Sequence, residues 1–251
     1  MRAGASKAPA YVASGDDLPQ DAEGLKRTAA HEGVDGYVRS GMVVGLGSGT
    51  TAAFAVRRVG ELLLSGELRD VRGIPTSEAT SRIAREAGIP LVGLDDAHPD
   101  VTIDGADEIN PDLDLIKGRG GALLREKIVA ASGGGLVVIA DGSKMVDVLG
   151  EGPLPVEVDR FGYEATLSAL ASLGCEPELR LLPSDEPHPF VTDGGNYTVD
   201  CLFPPITDPA SLEIEIRSIP GALECGLFTG LTRATVVARE DGVEIIKAGI
   251  P

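Results

Sequence analysis

Paired cysteines, clustered cations and long apolar runs are all missing from this 251-residue chain, and each absence removes a class of function. Cys175, Cys201 and Cys225 are odd in number, widely spaced and without a CxxC pair. That argues against a disulfide framework or a cysteine-held metal and fits a reducing cytoplasm. Lys and Arg number 22 against 39 Asp and Glu, giving a net charge of −17, and they are scattered singly. No basic patch is therefore available to hold nucleic acid. The same acidic excess suits a salt-rich cytoplasm, where self-repulsion is screened. No hydrophobic stretch approaches the roughly 20 residues that cross a bilayer, so no membrane partner is expected. His31, His98 and His188 stand in unrelated contexts, and no Ser-His-Asp or Cys-His arrangement can be read from them.

What is present is an alternation. Helical patterning over residues 26–39, 51–64, 77–87 and 122–132 alternates with strand-like runs at 42–44, 71–74, 90–93, 101–103 and 136–140. This rhythm predicts an α/β fold, a mostly parallel, Rossmann-like sheet with helices on both faces. Residues 1–24, rich in Ala, Gly, Pro and Asp and without a signal-peptide core, are expected to be a flexible tail. After Leu149 the texture changes to Pro-rich breaks, a helix at 163–173, the hairpin-like "FVTDGGNYTVDC" and a helix near 212–218. Residues 151–224 are thus expected to form a smaller α+β domain of ferredoxin-like type. Residues 25–150 and 225–251 would form the catalytic α/β domain, with Leu227-Phe228 and "TVVAREDGVEII" returning to the main sheet.

Three segments, "MVVGLGSGTT", "VTIDGADE" and "VVIADGSK", each run from a buried strand straight into small and polar residues. In an open parallel sheet ligands bind outside the carboxyl ends of the strands, so three such ends on one edge are expected to face one site. In "GLGSGTT" the glycines admit an anion close to backbone N–H groups, and the next helix adds its positive end. The spacing fits neither the dinucleotide fingerprint nor the P-loop, because Thr50 stands where Gly is required and no Gly-Lys-Ser/Thr follows. With Ser48, Gly49, Thr50 and Thr51 in the turn, phosphate is the expected ligand; a turn serving only tight packing is the alternative. Asp104 and Asp107 lack neighbouring His or Cys, so the reading is sugar-hydroxyl binding rather than metal, with turn and N-cap chemistry as the alternative.

"IKGRGGALLREK" adds a cation and a base. Lys117 precedes a Gly-rich nest, which places an ammonium and several N–H donors where negative charge can develop; solvated loop cations at Lys117 and Arg119 are the alternative. On a helix begun at Ala122, the neighbours of Glu126 are Ala122, Leu123, Val129 and Ala130. Desolvation on that apolar face would raise its pKa towards the range of a neutral-pH general base, unless Lys117 lowers it again. An ordinary surface glutamate between Arg125 and Lys127 is the alternative. Lys144, at the end of "VVIADGSK", is expected to reach the same crevice.

Taken in order, "GLGSGTTA", "GIPTSEAT", "TIDGADEIN", "IKGRGGALLREK", "VVIADGSKMVDVLG" and "PLPVEV" resemble the type A family of ribose-5-phosphate isomerases. The resemblance extends from about Leu25 to the C-terminus and includes "VTDGGN" and "IPGALECGLF". It implies interconversion of ribose 5-phosphate and ribulose 5-phosphate through an enediolate, without metal or organic cofactor. Glu126 would move the proton, Asp104 would assist ring opening and hydroxyl exchange, and Lys117 would stabilise the oxyanion. Ser48 to Thr51, Asp104, Gly105, Ala106, Asp107, Lys117, Gly118, Arg119, Gly120 and Lys144 would bind substrate. The family's substrate loop commonly reads Thr-Gly-Ser-Thr; here it reads Ser-Gly-Thr-Thr, and the hydroxyls are retained. A homodimer or homotetramer in the cytoplasm is the implied assembly. The alternatives are a sugar-phosphate sensor without turnover, an amino-sugar phosphate deaminase and a nicotinamide dehydrogenase.

Overall fold

The computed structural model describes residues 10–13, 21–183 and 187–249. In chain order the elements are β1 (Ala10–Ala13), α1 (Ala22–Tyr37), β2 (Val43–Leu46), α2 (Thr50–Ser65), β3 (Arg72–Pro75), α3 (Glu78–Glu86), β4 (Val101–Asp104), β5 (Glu108–Ile109) and β6 (Leu115–Ile116). There follow α4 (Leu123–Ala131), β7 (Leu136–Asp141), β8 (Leu154–Val158), α5 (Tyr163–Ala171), β9 (Glu176–Leu179) and β10 (Tyr197–Leu202). The last are α6 (Pro209–Arg217), β11 (Ala222–Cys225), β12 (Leu227–Phe228), β13 (Thr232–Arg239) and β14 (Gly242–Lys247). They divide into two compact units. The first holds the described residues up to Gly105, Val129–Lys144 and those from Leu231 onward; the second holds Ala106–Ile128 and Met145–Gly230.

The first unit is built on a seven-stranded sheet in the order β1-β14-β13-β7-β4-β2-β3. From β13 to β3 every neighbouring pair is parallel, while β14 pairs antiparallel with both β13 and β1. The runs Val-Val-Gly-Leu of β2 and Leu-Val-Val-Ile-Ala-Asp of β7 are buried at every position, as strands covered on both faces must be. Alternation along the strands separates two layers. Val44, Leu46, Ile103, Val137 and Ile139 meet Ala29, Ala30 and Val34 of α1 and Ala55, Val56 and Val59 of α2. Val43 and Ile74 instead meet Val129 of α4.

The second unit runs β8-α5-β9-β10-α6-β11, with the sheet ordered β11-β8-β10-β9 and every neighbouring pair antiparallel. This is the ferredoxin-like split βαβ arrangement. Val156, Val158, Val199, Cys201 and Cys225 of the sheet share one core with Leu170 of α5 and Ile216 of α6. All three cysteines are buried and free. A second sheet, β12-β6-β5, completes the unit.

Several details differ from the sequence reading. Leu227-Phe228 pairs with β6 in the second unit instead of joining the main sheet, because Gly226 is fixed on both sides: its N–H donates to Pro155 and its carbonyl accepts from Lys117. Only from Thr232 does the chain enter the main sheet, as expected of "TVVAREDGVEII". Residues 90–93 make one bridge, Leu91 with Gly73, instead of a strand; the turn that follows directs the N–H groups of Asp96 and Ala97 onto the Gly93 carbonyl. Residues 106–128, expected with the α/β sheet, belong to the second unit, where β5 and β6 pair and Ile116 enters its core. Within residues 1–24, Ala10–Ala13 form β1 against β14 and α1 starts at Ala22; residues 1–9 and 14–20 lie outside the described residues.

Candidate active site

In the first unit the candidate residues gather at the carboxyl ends of the adjacent strands β2, β4 and β7. Beyond Leu46, Gly47-Ser48-Gly49 turns the chain into α2, leaving Gly49 and Thr50 exposed and Thr51 half-buried at a helix N-terminus. Asp104 ends β4 only 1% exposed, and its Oδ1 accepts two N–H bonds, from Ser48 at 3.1 Å and from Gly105 at 2.7 Å. The turn and the carboxylate are thereby one construction. A Cβ on Gly47 would stand 2.2 Å from Asp104 Oδ1 and 2.6 Å from its Cα, so no larger residue fits there without displacement. Ser48 Oγ lies 2.8 Å from both Thr76 Oγ1 and Ser77 Oγ and 3.1 Å from Thr80 Oγ1, so its hydroxyl is engaged inside the fold. Thr76 and Thr80 in turn donate to the carbonyls of Leu46 and Gly47. Lys144 is half-buried in the short turn after β7, where Asp141 Oδ1 accepts from the N–H and hydroxyl of Ser143.

In the second unit Lys117 and Glu126 form a buried ion pair. Nζ and Oε2 are 3.3 Å apart, with side chains only 3% and 6% exposed. Glu126 stands in the first turn of α4, and Leu123, Val129 and Ala130 on that helix are all buried. The Lys117 ammonium also lies 5.5 Å from the ring centre of the fully buried Phe228, and the Lys117 backbone N–H donates to the Gly226 carbonyl at 2.8 Å. A carboxylate so shielded keeps little hydration to lose when it takes a proton, and the adjacent ammonium supplies positive charge for an oxygen anion.

Around this pair the second unit also fixes Asp107, Gly118, Arg119 and Gly120. Asp107 Oδ2 accepts the Arg119 N–H at 3.0 Å. Arg119, expected to touch substrate, directs its guanidinium to Glu108 Oε1 at 2.5 Å. Glu108 is 3% exposed and also accepts N–H bonds from Gly150, Glu151 and Gly152, so this third carboxylate of "DGADEIN" organises a loop. Ala106 is half-buried beside Asp107.

The expected site residues therefore fall into two sets. Ser48 to Thr51, Asp104, Gly105 and Lys144 lie in the first unit; Ala106, Asp107, Lys117 to Gly120 and Glu126 lie in the second. Lys127 escaped the sequence reading. It is buried, with Nζ 2.7 Å from Glu213 and 2.8 Å from Glu224 and 5.1 Å from the Phe228 ring centre. Gly47 and the hydroxyls of Thr76, Ser77 and Thr80 were also missed as residues, although "GLGSGTT" and "GIPTSEAT" contained them.

The family profile of ribose 5-phosphate isomerase A (phosphoriboisomerase A) matches residues 72–242. Ribose-5-phosphate isomerase A of Gloeobacter violaceus is 52% identical over 229 residues, which cover 90% of this chain and 97% of that protein. The probable ribose-5-phosphate isomerase 3, chloroplastic, of Arabidopsis thaliana is 47% identical over 249 residues, 96% of this chain and 86% of that protein. Among solved structures, a D-ribose-5-phosphate isomerase in complex with phospho-erythronic acid superposes with a TM-score of 0.87 at 38% identity, covering 90% of this chain and 99% of that one. Ribose 5-phosphate isomerase A of Methanocaldococcus jannaschii gives 0.85 at 42% identity, with the same coverage.

Proposed function

Because the chain belongs to the ribose 5-phosphate isomerase A family, we propose that Glu126 is the base of an aldose–ketose isomerisation and Lys117 its electrostatic partner. The protein interconverts D-ribose 5-phosphate and D-ribulose 5-phosphate through an enediolate. Glu126 removes the proton from C2 of the open-chain aldose and returns it to C1. Lys117 balances the charge that develops on oxygen meanwhile. One carboxylate suffices because the group that accepts the proton is the group that donates it. C2 is oxidised as C1 is reduced within one substrate molecule, so the reaction needs no external electron carrier. Asp104, held by two backbone N–H bonds, assists ring opening and exchanges a hydroxyl proton. The N-terminus of α2 with Thr50 and Thr51, together with Lys144, receives the phosphate. Asp107 and the Gly118–Gly120 turn hold sugar hydroxyls.

The observation that carries this reading is the buried pair at 3.3 Å. Phospho-erythronic acid, present in one related structure, supports it, since its carboxylate spreads negative charge over two oxygens on one planar carbon as an enediolate does. Glu126→Gln is expected to lower kcat by about two to four orders of magnitude with a modest change in KM. Near-normal turnover would remove Glu126 from the role of base.

A cytoplasmic homodimer or homotetramer is the assembly we favour. Three buried free thiols suit a reducing compartment, and no helix among the described residues is long and apolar enough to cross a membrane. Leu181, Leu182, Val191 and Leu202 of the second unit are each nearly half exposed, apolar side chains that a second copy would cover.

A further inference from the structure

We infer that Arg180 is a positioning residue that fixes the Gly118–Gly120 turn in its binding conformation; the inference rests on reading that turn as part of the substrate site. Arg180 follows β9 in the second unit, with its side chain 14% exposed and that of its partner Asp200 24% exposed. Nε donates to Asp200 Oδ2 at 2.8 Å and Nη2 donates to Oδ1, a two-pronged pairing that fixes the guanidinium plane. Phe190 stacks 5.7 Å from it, centre to centre. Locked in that plane, Nη1 reaches two successive carbonyls, Gly118 at 3.2 Å and Arg119 at 3.1 Å.

The consequence follows from peptide geometry. In a planar trans peptide the C=O and the next N–H point in opposite directions. The Gly118–Arg119 peptide is held at both ends, its carbonyl by Arg180 and its N–H by Asp107. The following peptide has its carbonyl on Arg180, so the Gly120 N–H is turned away from Arg180 at an exposed position with no atom within 4 Å of where a Cβ would stand. Without the guanidinium, the Gly118 carbonyl keeps the Gly121 N–H at 2.9 Å and the Arg119 N–H keeps Asp107, so it is the Arg119–Gly120 peptide that loses its restraint and is free to flip, which would exchange an outward donor for an outward acceptor. Gly121 adds a second restraint: its φ is +81°, and a Cβ there would stand 2.3 Å from Phe190 Cζ, so the ring that stacks on Arg180 also closes the turn. Lys117 and Glu126 have anchors of their own, in Gly226 and in each other. The effect of Arg180 should therefore fall on substrate binding more than on the proton transfer.

The test is steady-state kinetics on Arg180→Ala and Asp200→Asn, with added guanidinium chloride far below unfolding concentrations. Amide NMR of the wild type with an equilibrated mixture of the two sugar phosphates accompanies it. We expect the Gly120 amide to shift with ligand. KM should rise about ten-fold in Arg180→Ala with kcat within about three-fold, and guanidinium should restore part of the KM. Asp200→Asn should give a smaller change in the same direction and serves if Arg180→Ala does not fold. A shifted Gly120 amide with KM unchanged in both variants, only thermal stability falling, would overturn the role of Arg180 and leave the site reading intact. An unmoved Gly120 amide would overturn both.

Discussion

At the residue scale, the proposed chemistry depends on two opposite charges being buried together. Glu126 and Lys117 are each costly to bury alone and acceptable as a pair, which explains why neither is solvated although each belongs to a charged residue type. The burial of Glu126 was legible because its own helix neighbours are apolar, a local signal. Those of Glu108 and Lys127 were not, because the backbone N–H donors of Glu108 lie 42 to 44 residues away and the partners of Lys127 lie 86 and 97 residues away. A single residue also sets part of the pH response. Burial, followed by the charge of Arg58, holds the His31 imidazole below its ordinary pKa of 6.5, against smaller opposing effects of Glu61 and Asp35. The unfolded chain then binds more protons than the folded one as pH falls through 6.5, so stability is lost in that direction. Thermal unfolding of His31→Gln should show a shallower decline from pH 7 to pH 5 than the wild type. Parallel declines would assign the dependence elsewhere.

Among the elements, the β2 turn and α2 form the segment most legible in advance. A run of four buried residues, a glycine-rich break and an amphipathic helix specify strand, turn and helix with little help from elsewhere. What the sequence could not show is that Gly47 is set by Asp104, a residue on the neighbouring strand. Gly47→Ala should cost about 1–3 kcal/mol in urea unfolding, through the displaced carboxylate, and should raise KM as well. An unchanged midpoint would mean that the turn accommodates the methyl group freely. The misread elements share one cause. Residues 90–93 and Leu227-Phe228 look like strands by composition, yet the first is cut short by the Gly93 turn and the second is captured by β6, and neither event leaves a local mark.

For the whole molecule, the alternation of strands and helices gave the α/β sheet, and the change of texture after Leu149 marked the ferredoxin-like arrangement. The allocation of residues 106–128 was hidden, because short strands such as β5 and β6 are defined by pairing instead of by length. Assembly belongs to this scale too. Light scattering at micromolar concentration should give two or four times the chain mass of 25.9 kDa, and Leu182→Glu with Leu202→Glu should lower it. A monomeric wild type would refute the assembly.

The central claim, that Glu126 carries the hydrogen between C2 and C1, is tested most directly by following the C1 protons of ribulose 5-phosphate by NMR in D2O with wild type and Glu126→Gln. The wild type should exchange one of the two C1 hydrogens with solvent deuterium during turnover, while Glu126→Gln still binds the sugar phosphate and exchanges neither. Exchange by Glu126→Gln at the wild-type rate would contradict the account.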